Sequence, residues 1–267
     1  MNISKFRKCI IIILIMITLN AYFYSLNAAT NKSYGRLKNE WYSDDCHEIG
    51  YINKNSNYKI VFDIDSDCGI PGGSREKFKN IIDVAIKKWC NLLDLEFYVD
   101  EDSVLYDKYT IRINVISREN FEKMELSDPA NSSSSFDRSS VIGIVNRDDF
   151  KIVGQVLAYK TDFKEDRKEF TVNIYRINKS TIYIIWDGSS SSKYRTDYFD
   201  NDTWIKLISH EFGHSIGYRG HNNNEDIKSI MYSKGSELIS WEINGPNEYD
   251  ISHLLNVYKS DIYNELP

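Results

Sequence analysis

The strongest chemical signal in the sequence is a group of histidines in residues 210–221. His210 and His214 are four positions apart, so on a helix their side chains lie one above the other and can bind the same metal ion. Glu211 follows the first of them and can reach a water molecule on that metal as a general base. These residue types at this spacing predict a hydrolytic metal centre in which Glu211 is the catalytic residue.

A third metal ligand is predicted at His221, beyond the glycine that ends this helix. Gly217 can adopt a positive φ, which lets the chain leave the helix and turn back toward the metal. Three nitrogen ligands leave one tetrahedral position open, as a catalytic zinc site requires, so we expect one Zn²⁺ ion. Glu225 and Asp226 are the alternatives to His221. An exposed helix face that binds no metal is the alternative to the whole site.

The pattern His-Glu-x-x-His-x-x-Gly with a later histidine resembles the metzincin metalloproteases, which also have a methionine turn downstream. The sequence Ser-Ile-Met-Tyr at residues 229–232 resembles that turn, and its Met-Tyr pair is typical of the matrixin-like branch. The resemblance implies that Met231 forms an apolar floor beneath the metal. This chain differs from the common pattern because Gly220 stands where a histidine is usual, and His221 follows one residue late.

The resemblance covers roughly residues 57–260 and implies a secreted endopeptidase that binds protein or peptide substrates in extended form. Glu211 would activate a water on the zinc and then pass its proton to the leaving amine. Residues 154–158 look like the edge strand that lines the substrate cleft. The substrate-binding residues implied by the resemblance are Gly154, Leu157, Ala158 and, after the methionine, Tyr232.

A binding module on a metzincin scaffold, which holds zinc without turnover, is the alternative function. Such modules commonly lose the general base, so the presence of Glu211 favours the enzyme. A third alternative is a signal-anchored surface protein in which the histidine motif is incidental. No histidine lies between His47 and His210, so the additional structural zinc of the family is expected to be absent. Scattered Asp and Asn residues neither predict nor exclude a calcium site, so calcium stays an unsupported alternative as a further ion.

Hydrophobic periodicity predicts an α+β domain that positions these residues, with a twisted mixed sheet. Alternating apolar residues predict strands at 58–64 and 109–116, and the helical repeat between Ser74 and Leu93 predicts a long helix packed on the sheet. The active-site helix begins near residue 202. Further strands are predicted at 141–145 and 153–159, a hairpin at 170–186 that turns at Asn178–Lys179, and a C-terminal helix after Pro246 that Asn247 caps.

The start of the chain has the features of a secretory signal peptide. Basic residues precede an apolar run at 10–19, and small residues follow at 28–29, which predicts a leader over residues 1–28. An uncleaved anchor is the alternative. Residues 29–56 then form a short N-terminal segment or prosegment, and residues 57–267 the catalytic domain.

The composition of the 267-residue chain is that of a globular protein, with 42% hydrophobic and 27% charged residues. Its net charge of −6 becomes more negative when the basic leader is removed. Because an acidic surface repels phosphate groups and anionic lipid heads, we expect no nucleic-acid partner and no membrane partner after signal removal. We expect a secreted monomer.

Three cysteines follow the leader, and their pairing is constrained by the long helix. Cys68 and Cys90 flank that helix and would lie about 30 Å apart, so Cys46–Cys90 is the more reachable pair. Cys68-Gly-Ile-Pro resembles the cysteine switch of matrixin prodomains, but we interpret it as an ordinary strand-to-helix loop. Residues better placed to block the metal from a prosegment are Asp44, Asp45, Cys46 and His47.

Overall fold

In a computed structural model of the chain, two helices pack on each other beside a single mixed β-sheet. The structure describes residues 32–36, 46–53, 56, 58–100, 109–126, 138–161, 167–189, 195–222, 226–232, 242 and 245–258. The predicted signal peptide, residues 1–28, lies outside this range. Among the described residues, none of the helices combines the length and the apolarity that a membrane span requires.

Seven strands within these residues form the sheet. They are β1 (Ser33–Arg36), β2 (Glu48–Tyr51), β3 (Lys59–Ile64), β4 (Tyr98–Asp100), β5 (Thr110–Ser117), β6 (Gly143–Thr161) and β7 (Arg167–Trp186). The order across the sheet is β1-β6-β7-β5-β3-β4, and β2 also pairs with β7. All strand pairs are parallel except β6 with β7. The predicted α+β class and mixed sheet are confirmed.

The described helices are α1 (Arg75–Leu93), α2 (Arg118–Lys123), α3 (Asn201–Ser215) and α4 (Glu248–Tyr258). Single 3-10 turns lie at Pro71–Gly73, Arg138–Ser140 and Thr196–Tyr198. Helix α1 begins as predicted, because the Ser74 Oγ accepts a hydrogen bond of 3.2 Å from the backbone of Lys77. Its apolar face is buried, and Phe78 meets Phe62 of β3 edge to face at 5.2 Å. The predicted long helix on the sheet is confirmed.

The hairpin predicted to turn at Asn178–Lys179 is wrong, because β7 runs without interruption from Arg167 to Trp186. Both residues lie within the sheet, where Lys179 pairs with β5 and the Asn178 amide donates to Asp149 of β6 at 3.2 Å. A polar pair whose composition is typical of a turn is thus held within the sheet by long-range partners, and only the Asn178 Oδ1 is left buried without a hydrogen bond. The two shorter strands predicted at 141–145 and 153–159 are likewise parts of one strand, β6.

The N-terminal segment contributes two strands to this sheet. β1 pairs with the second half of β6, where Arg36 lies opposite Leu157, and β2 pairs with residues 173–176 of β7. The expectation of an open edge strand at 154–158 is therefore corrected, because β1 covers that edge. The part of β6 at Gly143–Arg147 pairs only with β7 among the described strands.

Candidate metal centre

Helix α3 is held at its start and along its buried face. Asp200 caps the first turn by accepting a backbone hydrogen bond of 2.8 Å. Trp89 of α1 donates its indole hydrogen to the carbonyl of Ser209 at 2.9 Å, one residue before the first histidine. This packing fixes the rotation of α3 about its axis, and thereby the direction of the side chains of His210 and His214.

The imidazoles of His210 and His214 are each oriented by a backbone carbonyl. The Nδ1 of His210 lies 2.7 Å from the Ile230 oxygen, and the Nδ1 of His214 lies 2.8 Å from the Tyr218 oxygen. A carbonyl oxygen only accepts, so Nδ1 carries the hydrogen in both neutral rings, and each Nε2 keeps its lone pair. These two Nε2 atoms face each other at 3.2 Å. Two lone pairs at this distance repel unless a cation lies between them.

The surroundings of both rings favour the neutral form. Burial, and then the nearby His221, lower the pKa of His210 from 6.5 to about 3. Burial also lowers the pKa of His214 well below 6.5, with further contributions from the two neighbouring imidazoles. Both side chains are therefore uncharged at neutral pH, which is the state in which imidazole binds a metal.

The structure brings His221 to the same place. Gly217 adopts φ +123° and Gly220 φ +72°, and this backbone returns the chain toward the helix. The ligand atoms of the three histidines all lie within 4.8 Å of one another. Among the described residues this group contains no carboxylate, so Asp226 is not part of it. The other alternative, Glu225, lies outside the described residues.

Glu211 directly follows His210 on α3 and is buried beside the strand β6. A Cβ atom added to Gly143 would lie only 2.6 Å from the Glu211 Oε1, so the backbone of β6 approaches the carboxylate where a side chain is missing. Sequence analysis did not identify Gly143 as a site residue. The available signal was a lone glycine at the start of an apolar strand, which is typical of close backbone approach.

The predicted methionine turn lies beneath the helix. Met231 is fully buried, and its sulfur would lie 2.6 Å from a Cβ atom added to Gly213, which stands between the two helical histidines. Its carbonyl accepts a hydrogen bond of 2.9 Å from Asn222, the residue after the third histidine. The methionine turn therefore contacts both the helix and the loop that carry the imidazoles.

A buried carboxylate that sequence analysis did not single out holds this turn. Asp250 of α4 accepts hydrogen bonds from the backbone of Ile230 at 3.1 Å, Met231 at 3.4 Å and Asn247 at 2.9 Å, and from the Ser229 hydroxyl. Burial raises the pKa of Asp250, although these hydrogen bonds act in the opposite direction. Asp250 thereby fixes the carbonyl that orients the first histidine.

Three of the four residues that the resemblance implies for substrate binding lie far from the histidine group. Gly154, Leu157 and Ala158 lie toward the other end of β6, about 36–50 Å from Gly143 when measured along an extended strand. Tyr232 is near the site but only 1% exposed, and its backbone donates to the turn itself. The edge of β6 that adjoins Glu211 is therefore the segment beginning at Gly143, not the segment 154–158.

The three described cysteines are free thiols, so the predicted Cys46–Cys90 pair is wrong. Burial raises the pKa of both Cys68 and Cys90 to about 12, which keeps these thiols protonated. Neither Cys46 nor His47 belongs to the histidine group, and the His47 ring stacks on Phe170 at 4.3 Å. The prosegment acids at 44 and 45 lie outside the described residues.

Comparison with known proteins adds no relative to this geometry. No protein-family model matches the chain, and no curated protein matches it significantly. The resemblance to metzincins therefore rests on the residues quoted above.

We expect the metal-free protein to lose stability as the pH falls from about 6.5 toward about 3. The unfolded chain takes up a proton on His210 in this range, whereas the folded chain does not, so this residue lowers the unfolding free energy by about 1.4 kcal/mol for each pH unit of the fall. His214, whose pKa is also lowered by burial, acts in the same direction. Above the range the contribution is fully present. Urea unfolding of the chelator-treated protein at several pH values measures the slope.

The control for this pH dependence is a pair of histidine substitutions. His210→Gln removes one buried imidazole and is expected to reduce the slope, with His214 accounting for part of what remains, whereas His47→Gln, outside the histidine group, is expected to keep the slope of the parent. Equal slopes in His210→Gln and the parent protein would show that this imidazole is accessible to protons in the folded state.

Proposed function

We propose that this protein is a secreted zinc endopeptidase of the metzincin type, with His210, His214 and His221 as zinc ligands and Glu211 as general base. The observation that carries the proposal is the pair of carbonyl-oriented imidazoles whose Nε2 atoms face each other at 3.2 Å, next to a buried glutamate. The signal-peptide pattern of residues 1–28 supports secretion.

The donor set fits zinc. Zn–N bonds of about 2.0–2.1 Å in a tetrahedral site place two ligand nitrogens about 3.3–3.4 Å apart, close to the separation of the two helical imidazoles. Each of these rings also donates its other nitrogen to a backbone carbonyl, which is the usual outer partner of a zinc-bound histidine. When bound, zinc would lower the pKa of a water molecule to about 7 and polarise the scissile carbonyl.

The protein's own residues would then carry the proton transfers. Glu211 accepts the proton of the attacking water and delivers it to the amine of the leaving product. Its carboxylate occupies the space that a side chain at position 143 would fill, so the backbone of Gly143 limits its position. Burial excludes bulk water from this carboxylate and strengthens its interaction with charge that develops during the reaction.

The substrate is proposed to bind as an extended peptide along Gly143–Arg147 of β6. This segment adjoins Glu211 and, among the described strands, pairs with β7 alone. Its residues are buried, so a peptide that forms main-chain hydrogen bonds with its other side would have to displace what covers this edge. An edge strand beside the active-site helix is what the metzincin resemblance implies, but at an earlier position than residues 154–158. The partner is thus a protein or peptide substrate, bound by a monomer.

Zinc content and casein cleavage by purified residues 29–267 test this proposal. We expect about one zinc ion per chain, and cleavage that a chelator abolishes and added Zn²⁺ restores. A chain that binds one zinc ion but never cleaves casein or a peptide library would be a binding module, and the proposed activity would be wrong. A chain without zinc would contradict the metal site itself.

A further inference from the structure

The turn that carries the third histidine is in direct contact with the N-terminal strand β2. The backbone of Gly50 donates a hydrogen bond of 2.8 Å to the Gly217 oxygen, and Ile49 forms an antiparallel bridge with Tyr218. The contact is so close that a Cβ atom on Gly217 would lie 2.1 Å from the Gly50 oxygen. Strand β2 therefore pairs with the residues that lead to His221.

Glu48 of the same strand binds the side chain of Arg219, the next residue of this turn. Glu48 accepts a hydrogen bond of 3.0 Å from the Arg219 Nε and one of 2.8 Å from the Tyr175 hydroxyl. A second guanidinium, that of Arg147, lies 3.7 Å from the same carboxylate. The side chains of Arg219 and Arg147 are only 7% and 2% exposed. Because little water solvates these two charges, the Glu48 carboxylate stabilises them more than it would stabilise arginines at the surface.

A tyrosine hydroxyl extends the connection to the end of α3. The Tyr258 hydroxyl donates to the Ile216 oxygen at 2.6 Å and accepts from the backbone of Ile52 at 2.8 Å. Each residue from Ile216 to Arg219 is therefore bound to the N-terminal segment, directly or through this hydroxyl. The segment also holds Tyr218, whose carbonyl orients the imidazole of His214.

We propose that β2 is a positioning element of the metal centre, with Glu48 as its positioning residue. Glu48 acts through Arg219, which lies two residues before His221, and β2 holds the backbone that orients His214. Residues 46–52 then belong to the working enzyme and are not a removable prosegment. The inference rests on the proposed function, because it assigns a role toward the zinc ligands.

Glu48→Gln is expected to weaken zinc binding about 10- to 100-fold, the effect typical of losing a group that orients metal ligands. The zinc dissociation constant is measured by competition with a chromophoric chelator, and the melting temperature of the metal-free chain is measured alongside. A merely structural role would lower the melting temperature without changing the dissociation constant. Glu169→Gln is the matched control, because it removes an exposed ion pair with Arg36 of the N-terminal strand β1.

A second variant keeps the test decisive if Glu48→Gln does not fold. Arg219→Lys preserves the positive charge but removes the Nε donor, and we expect it to weaken zinc binding in the same direction by a smaller factor. Zinc binding to both variants with the affinity of the parent chain would overturn this inference alone. A parent chain that binds no zinc would overturn the proposed function together with it.

Discussion

Replacing Glu211 by glutamine is expected to lower kcat/KM for casein cleavage by about 10²- to 10⁴-fold, while one zinc ion per chain is retained. Glutamine has nearly the size and shape of glutamate, so it fits the space beside Gly143, where a larger change would disturb the strand. It cannot accept and return a proton, however. The loss should therefore appear in kcat rather than in zinc content or in KM.

The control for this substitution is Glu119→Gln, which changes an exposed carboxylate that forms an ion pair of 2.6 Å with Lys123 on α2. Casein cleavage is followed for the parent and both variants, with zinc measured on the same samples. We expect the control to cleave like the parent. Equal cleavage by Glu211→Gln and the parent would show that the general base is another residue, or that a contaminating protease is responsible.

Replacing a histidine of the metal centre is expected to weaken zinc binding by at least about 100-fold, because altering only the outer partners of metal ligands already costs about 10- to 100-fold. His214→Gln and His221→Gln are the informative variants, since they test the helix and the turn separately. Peptidase activity at limiting zinc should fall in parallel. Competition with a chelator measures the affinity, and the metal content after dialysis gives the stoichiometry.

The matched control is again His47→Gln, because this ring stacks on Phe170 and does not belong to the histidine group. The result for His221 decides between the alternatives in the sequence. If His221→Gln binds zinc as tightly as the parent while His214→Gln does not, the third ligand is an acid such as Glu225 or Asp226. If neither substitution changes zinc binding, the proposed metal centre is wrong.

The sequence alone was sufficient for features that depend on neighbouring residues. The four-residue spacing of His210 and His214 follows the helical period, and the alternation of apolar residues at 58–64 follows the period of a strand. Ser74 caps α1 through an atom three residues away. Such signals lie within one turn or one strand, so the α+β class, the long helix and the candidate ligands could all be predicted.

Only the tertiary structure decided which distant residues meet. Asn178–Lys179 has the composition of a turn, but contacts with Asp149 and β5 hold it within a continuous strand. The lone glycine at 143 is typical of a close backbone approach, but no local pattern identifies Glu211 as the group approached, because the contact joins a strand to a helix far along the chain. The same holds for Asp250, which binds the methionine turn from another helix.

The N-terminal segment shows most directly the difference between what local sequence signals predict and what tertiary contacts decide. Its polar sequence predicted a separate segment or prosegment, yet Glu48 binds Arg219 across 171 positions of the chain, and β2 pairs with β7. Local propensity carries no information about such a partner, since the pairing of this strand depends on β7 and on the turn after α3, which lie far along the chain. Helical spacing in the sequence determined the candidate ligands on α3, and long-range pairing determined what holds them.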